Sequence, residues 1–155
     1  MTESEFAEFV RESIPEYAAD KVSAGLWTHA ESLELSRKSF HELLPDGLAT
    51  PSHYLFSIRD AADEVNVGMI WIAAQERAGK RVAYVYDVSV KPEHQRKGHA
   101  TRAFVALEAE VRRLGLTGIA LNVFGHNAGA QALYLKLGYQ PTHINMFKAT
   151  GQTGA

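Results

Sequence analysis

The chain has 155 residues, of which 46% are hydrophobic and 22% charged; it carries a formal net charge of -2 and no cysteine. This fits one domain able to bury its own core, and it excludes disulfides, a thiol nucleophile and, without a basic surplus, general nucleic-acid binding. No run of about 18 apolar residues marks a membrane span, and the start M-T-E-S-E-F lacks the features of a signal peptide, so a cytoplasmic protein with no membrane partner is expected.

The first third reads as helical. Phe6, Phe9, Val10, Ile14 and Tyr17 fall at helix spacing behind the capping box Thr2-x-x-Glu5. Pro15 is expected to kink or split this helix and Gly25 to stop it. A second helix opens at the capping box Thr28-x-x-Glu31, turns Leu33, Ser36, Phe40 and Leu43 inward, and ends at Leu44-Pro45-Asp46-Gly47. From His53 the period becomes two, with Tyr54, Phe56 and Ile58 alternating with Leu55 and Ser57 up to Asp60. Val65 to Ala74, with Gly68 inside it, is a nearly continuous apolar run, as in a strand buried on both faces. A turn over Gln75 to Lys80 leads into the longest strand, Val82 to Val90. Its alternation predicts Val82, Tyr84, Tyr86, Val88 and Val90 on one face, with Ala83, Val85, Asp87 and Ser89 on the other. Beyond it come a helix over Ala100 to Leu114, a strand at Gly118–Phe124, a helix carrying Ala130, Leu133, Tyr134 and Leu137, and a short strand at Ile144–Lys148. The expected order is α-α-β-β-β-α-β-α-β, one domain over residues 1–148 with a flexible tail at 149–155.

Between the third strand and its following helix lies Val88 to Thr101, V-S-V-K-P-E-H-Q-R-K-G-H-A-T. A strand end, a glycine-bearing turn and a helix N-terminus in that order make an anion site. The first N–H groups of the helix lack intrahelical partners, and the helix dipole adds partial positive charge. Arg96 and Lys97, with Lys91 and Arg102 nearby, add cations, so the favoured ligand is a polyphosphate held mostly by main chain. The turn is not G-x-x-x-x-G-K-[ST], and it lacks the three glycines of the dinucleotide fingerprint. What stands here is Gln95-x-x-Gly98-x-Ala100, which resembles the acetyl-CoA pyrophosphate loop, Q/R-x-x-G-x-G/A, of the GNAT superfamily of N-acyltransferases.

A second stretch supports that resemblance. Leu121-Asn122-Val123-Phe124-Gly125-His126-Asn127-x-x-Ala130-x-x-x-Tyr134-x-x-x-Gly138-Tyr139 looks like the other signature of the superfamily, N-x-x-A-x-x-x-Y-x-x-x-G-F/Y after a strand. The resemblance covers residues 53–148, and A-G-L-W-T at 24–28 with L-L-P-D-G-L-x-T-P-x-H-Y at 43–54 extends it toward a bacterial subgroup. It implies an α/β fold: a central, mostly antiparallel twisted mixed sheet with one splayed strand pair, flanked by helices. The superfamily's usual first strand is not evident before the first helix, so the sheet is expected to begin one strand short.

The resemblance also implies roles. Acetyl-CoA is the acyl donor and a primary amine the acceptor. Main chain at Val88, Ser89 and Val90 pairs with the pantetheine arm, and a backbone N–H there polarises the thioester carbonyl. Gln95, Arg96, Lys97, Gly98, His99, Ala100 and Thr101 form the pyrophosphate loop. Asn127, Ala130 and Tyr134 contact the cofactor, Asn127 also reading as a helix N-cap, and Tyr134 protonates the CoA sulfur. Many members carry a Glu as base on the central strand; here that strand offers Tyr84, Tyr86 and Asp87 instead. Asp87 is therefore the first candidate base, with His53 and His126 behind it. The seven histidines show no H-E-x-x-H or similar spacing, so no metal is expected. Trp27, the Pro45–His53 loop, Tyr54, Tyr84 and Tyr86 are candidates for the acceptor pocket, where aromatics hold a cation by its charge.

The acceptor stays open among small-molecule amine, peptide N-terminus and protein lysine, and a homodimer is compatible with the pattern. Two other readings compete with the enzyme: a non-catalytic acyl-CoA-binding sensor, suggested by the missing strand Glu, and a nucleotide-binding regulatory domain using the same anion loop. The second leaves the Asn127–Tyr134 pattern unexplained.

Overall fold

Two capping boxes start the molecule. Thr2 Oγ1 accepts the Glu5 N–H at 3.2 Å, and the Glu5 carboxylate accepts the Thr2 N–H at 2.8 Å, opening helix α1, Glu3–Ser23. Glu31 accepts the Thr28 N–H at 3.2 Å, at the start of α2, His29–Leu43. The computed structural model describes residues 1–151, with strands β1 (His53–Arg59), β2 (Asn66–Arg77), β3 (Lys80–Val90) and β4 (Ile119–Ala120), and helices α3 (His99–Arg113) and α4 (Ala128–Lys136). They fall into two compact units, one over Met1–Asn122 and one from Val123 onward.

α1 is not split at Pro15 but continues as one helical segment through it. Proline removes one backbone donor, but packing holds the helix on both sides of it: Phe9 before and Ala18 after are buried. One turn of α1 is also tied sideways, since the fully buried Ser36 of α2 donates its hydroxyl to the Ile14 carbonyl at 2.8 Å. The inner stripe of α2 is therefore Ser32 and Ser36 with Phe40 and Leu43, while Leu33 stays 39% exposed.

The sheet runs in the order β1-β2-β3-β4, antiparallel except for the parallel β3–β4 pair. No strand precedes β1, so the sheet does begin at His53. The β2–β3 hairpin turns through Ala78 (φ 49) and Gly79 (φ 74), two positive-φ residues whose twist suits flanking strands. It is tighter than the turn expected from Gln75 to Lys80, because the ladder continues to Arg77↔Lys80.

One sheet face carries Leu55, Met69 and Trp71 against Phe9 and Leu44, with Phe6, Val10, Phe40 and Leu43 packed around them. Each fully buried large apolar side chain there contributes about 1.5–3 kcal/mol. The other face lies under α3, whose Phe104, Leu107 and Val111 are buried. The predicted alternation along β3 fails midway. Trp71 pairs with Asp87 but Ile72 with Val85, so Tyr86 is an extra residue in a β-bulge. Above the bulge the faces exchange: Asp87 and Ser89 share the Trp71 side, and Val88 and Val90 join Val85 on the other.

β4 is shorter than the expected Gly118–Phe124, pairing only at Ala83↔Ile119 and Tyr84↔Ala120. The strand expected at Ile144–Lys148 does not form; among the described residues this unit holds no ladder for it, and Ile144, Met146 and Phe147 are 69%, 87% and 92% exposed. Of the tail expected from 149, residues 152–155 lie outside the described residues.

Candidate active site

β3 ends in the anion loop, and its geometry follows from the chain. Pro92–His94 make one 3-10 turn, and Gln95 is extended. Arg96 (φ 60) and Gly98 (φ 80) are both left-handed, and α3 starts at His99. Left-handed residues at this spacing turn successive N–H groups toward one concave surface, an anion-binding arrangement. At Gly98 the conformation suits glycine. At Arg96 it costs a non-glycine residue about 1–2 kcal/mol, strain held at a binding loop. Gln95, Arg96, Lys97 and Gly98 are all exposed, whereas His99 is 5% exposed, so its side chain faces inward and its main chain alone faces the loop.

The bulge decides what the edge of β3 presents. The Ala83 N–H donates to Gly118 O on the β4 side, at 2.9 Å, while the Lys91 N–H donates to Val67 O on the β2 side, at 2.8 Å. Without the extra residue both would point the same way. Alternation back from Lys91 turns the Val88 and Val90 N–H groups to the β4 side, where pairing stops at Tyr84↔Ala120. The splayed pair is thus a parallel ladder two residues long, and among the described residues no strand pairs with the β3 edge beyond it. Gln95 Nε2 donates to Val90 O at 2.9 Å and fixes the end of that edge. A buried glycine lets it sit close to β2: a Cβ on Gly68 would lie 2.1 Å from Ser89 O.

On the Trp71 side stands an aromatic cluster. Tyr86 stacks on Trp71 at 4.8 Å, Tyr84 meets Tyr86 edge-on at 5.1 Å, and His53 lies 5.7 Å from Tyr86. Trp71 Nε1 donates to His53 Nδ1 at 3.0 Å, and burial holds the His53 imidazole below its ordinary range. His53 is thereby occupied as a structural acceptor. Trp27 joins through Tyr17 and Phe40. Tyr54 does not: it pairs with Ile72, on the opposite sheet face. Asp87 sits beside Tyr86, half-buried; burial pushes its carboxyl up, the Val88 N–H opposes this, and Glu16 and Asp20 of α1 push it further.

In the second unit, Asn127 caps α4, accepting the Ala130 N–H at 3.2 Å, which bears out its N-cap reading. Tyr134 is half-buried on α4, 5.6 Å from Tyr139, and burial raises its phenol. His126 stacks on Phe124 at 5.4 Å. Trp71 is hidden in an apolar run. Glu5 is legible only as a capping residue and Asp60 only through the Asp60-x-Ala62 turn, closed by the Ala62 N–H on Asp60 Oδ1 at 2.8 Å; the partners Ser57, Arg59 and Asn66 of the one and His99 of the other are remote in sequence.

Comparison with known proteins bears on both units. The acetyltransferase (GNAT) family model matches residues 17–139. The Bacillus subtilis protein YycN, an uncharacterized N-acetyltransferase, is 35% identical over 96% of this chain and 94% of its own, and YdgE of the same organism is 33% identical over the same shares. The crystal structure of YycN superposes with a TM-score of 0.85 at 34% identity, covering 98% of this chain and 96% of that one. AAC(6′)-Iy in complex with a bisubstrate analog of CoA shares the fold, with a TM-score of 0.56 at 18% identity over 77% of this chain and 80% of its own.

Proposed function

Since the chain belongs to the acetyltransferase (GNAT) family, whose members bind acetyl-CoA and an acceptor, we propose that it moves an acetyl group from acetyl-CoA to a primary amine by direct attack. The observation that carries this reading is the β3 edge from Val88 to Val90, with no strand paired to it among the described residues, leading directly into the left-handed loop at the start of α3. The edge suits an amide-bearing arm, and the loop suits a pyrophosphate. Residues 1–148 act as one catalytic domain in this reading.

The amine nitrogen forms a bond to the thioester carbon as the carbon–sulfur bond breaks. The Val90 N–H on this edge stabilises the developing oxyanion, a contribution commonly worth about 3 kcal/mol. A lysine-like amine with pKa about 10.4 costs about 4 kcal/mol to deprotonate near neutrality. Asp87 takes that proton, its carboxyl raised by burial and by the acids of α1. Those same acids draw a cationic amine toward the aromatic cluster. Tyr134 protonates the leaving thiolate; its raised phenol stays protonated at neutral pH, as an acid must before it donates.

Calorimetric titration with acetyl-CoA, CoA and ATP tests the reading, followed by an amine-acceptor screen. Micromolar binding of the first two and none of ATP is expected, with turnover of at least one amine. Failure of acetyl-CoA to bind overturns it. Binding without turnover of any amine favours a non-catalytic acyl-CoA sensor, the reading to which the absence of a Glu on β3 points.

A further inference from the structure

The loop is braced from outside itself. Arg102, on the first turn of α3, donates from Nη2 to the Lys97 carbonyl at 2.9 Å and lies 3.2 Å from His99 Nδ1. Guanidinium has no acceptor, so Nδ1 accepts and the ring carries its proton on Nε2. That Nε2 is buried, has no hydrogen-bond partner, and faces Asp60 Oδ2 at 3.6 Å. Asp60 in turn is anchored in the β1–β2 turn: Oδ1 accepts the Ala62 N–H, its N–H donates to Val65 O, and its carbonyl accepts the Glu64 N–H. His94 packs edge-on against His99 at 6.2 Å and closes the other side. A chain of polar contacts therefore runs from a rigid turn of the sheet through a buried ring to the Lys97 carbonyl, one residue before the left-handed Gly98.

We propose that Asp60 is a positioning residue for acetyl-CoA binding, acting through His99 and Arg102 to hold the Lys97–Gly98 peptide so that the N–H groups opening α3 converge on the pyrophosphate. The proposal rests on the acetyl-CoA reading of the loop. Asp60 itself touches no substrate. Its effect is on how much of the loop's ordering is complete before the ligand arrives, which is an effect on affinity rather than on the chemical step.

Asp60→Asn tests it, because the amide keeps a carbonyl oxygen for the Ala62 N–H while placing a donor against His99 Nε2–H. The expected result is an acetyl-CoA KM and Kd raised about tenfold, from replacing a carboxylate that faces the ring N–H by a donor that opposes it, with kcat at saturation retained. Arg102→Lys keeps the positive charge but cannot span Lys97 O and His99 Nδ1 together; it should raise KM similarly. The double variant should be no worse than the poorer single one, since both break the same chain. Unchanged Kd in Asp60→Asn, or fully additive losses in the double variant, overturns the proposal while leaving the acetyltransferase reading intact. A wild-type protein that does not bind acetyl-CoA overturns both. Urea unfolding of each variant separates a moved loop from a weakened fold.

Discussion

Gly68→Ala joins stability to catalysis through one contact. The added Cβ would lie 2.1 Å from Ser89 O and 3.0 Å from the Val90 Cα, both main-chain atoms. Ordinary separation is about 3.5 Å, so β3 must retreat from β2 by more than an ångström. Overpacking of this kind costs about 1–3 kcal/mol. The strand that retreats is the one whose free edge we assign to the acyl arm. A misplacement of about 1 Å at a reacting centre costs roughly a hundredfold in rate, equivalent to about 2.7 kcal/mol of barrier. Urea unfolding and steady-state kinetics with acetyl-CoA and an acceptor should therefore show both losses together. Wild-type kcat/KM in a variant of lowered stability would refute the placement of the acyl arm on this edge. Wild-type stability would refute the close approach itself.

Other consequences are tested separately. Tyr134→Phe should lower kcat by roughly ten- to a thousand-fold and leave acetyl-CoA affinity little changed; an unchanged kcat removes its role as the acid. Glu5 accepts hydrogen bonds from the Thr2 N–H, Ser57, Arg59 and Asn66, which lower its carboxyl to about 2 from 4.5. A depressed carboxyl contributes stability that is present above its unfolded value and lost as pH falls through 4.5 toward 2. Glu5→Gln should thus lower the Tm at neutral pH and flatten that part of the acid limb, and parallel wild-type and variant Tm-versus-pH curves would count against it. Ala78 holds φ 49 in the β2–β3 turn, so Ala78→Asn should raise stability by about 1 kcal/mol in urea unfolding.

Local patterns in the chain are enough to identify the helices, the three long strands and both signature stretches. Capping boxes, period and glycines act within a few residues, and the Gln95–Gly98–Ala100 loop carries its own turn chemistry. The expected gap before the first strand was legible for the same reason. Pairing and burial were not. A single extra residue at Tyr86 reverses the faces of β3, and nothing in V-A-Y-V-Y-D-V-S-V distinguishes a bulge from a regular strand. That reversal sends Asp87 to the aromatic side and turns the Val88 and Val90 N–H groups to the open edge.

The split expected at Pro15 and the strand expected at Ile144–Lys148 fail in opposite directions, because a helix can be held by its neighbours and a strand cannot exist without one. Asp60 and His99 stand 39 positions apart in the sequence and 3.6 Å apart in the fold. The sequence by itself determined which residue types the candidate site contains and which loop has the conformation we assign to anion binding, since those depend on local backbone conformation. Only the tertiary structure decided which of those groups face one another, since that depends on register, bulge and close strand approach between segments distant along the chain.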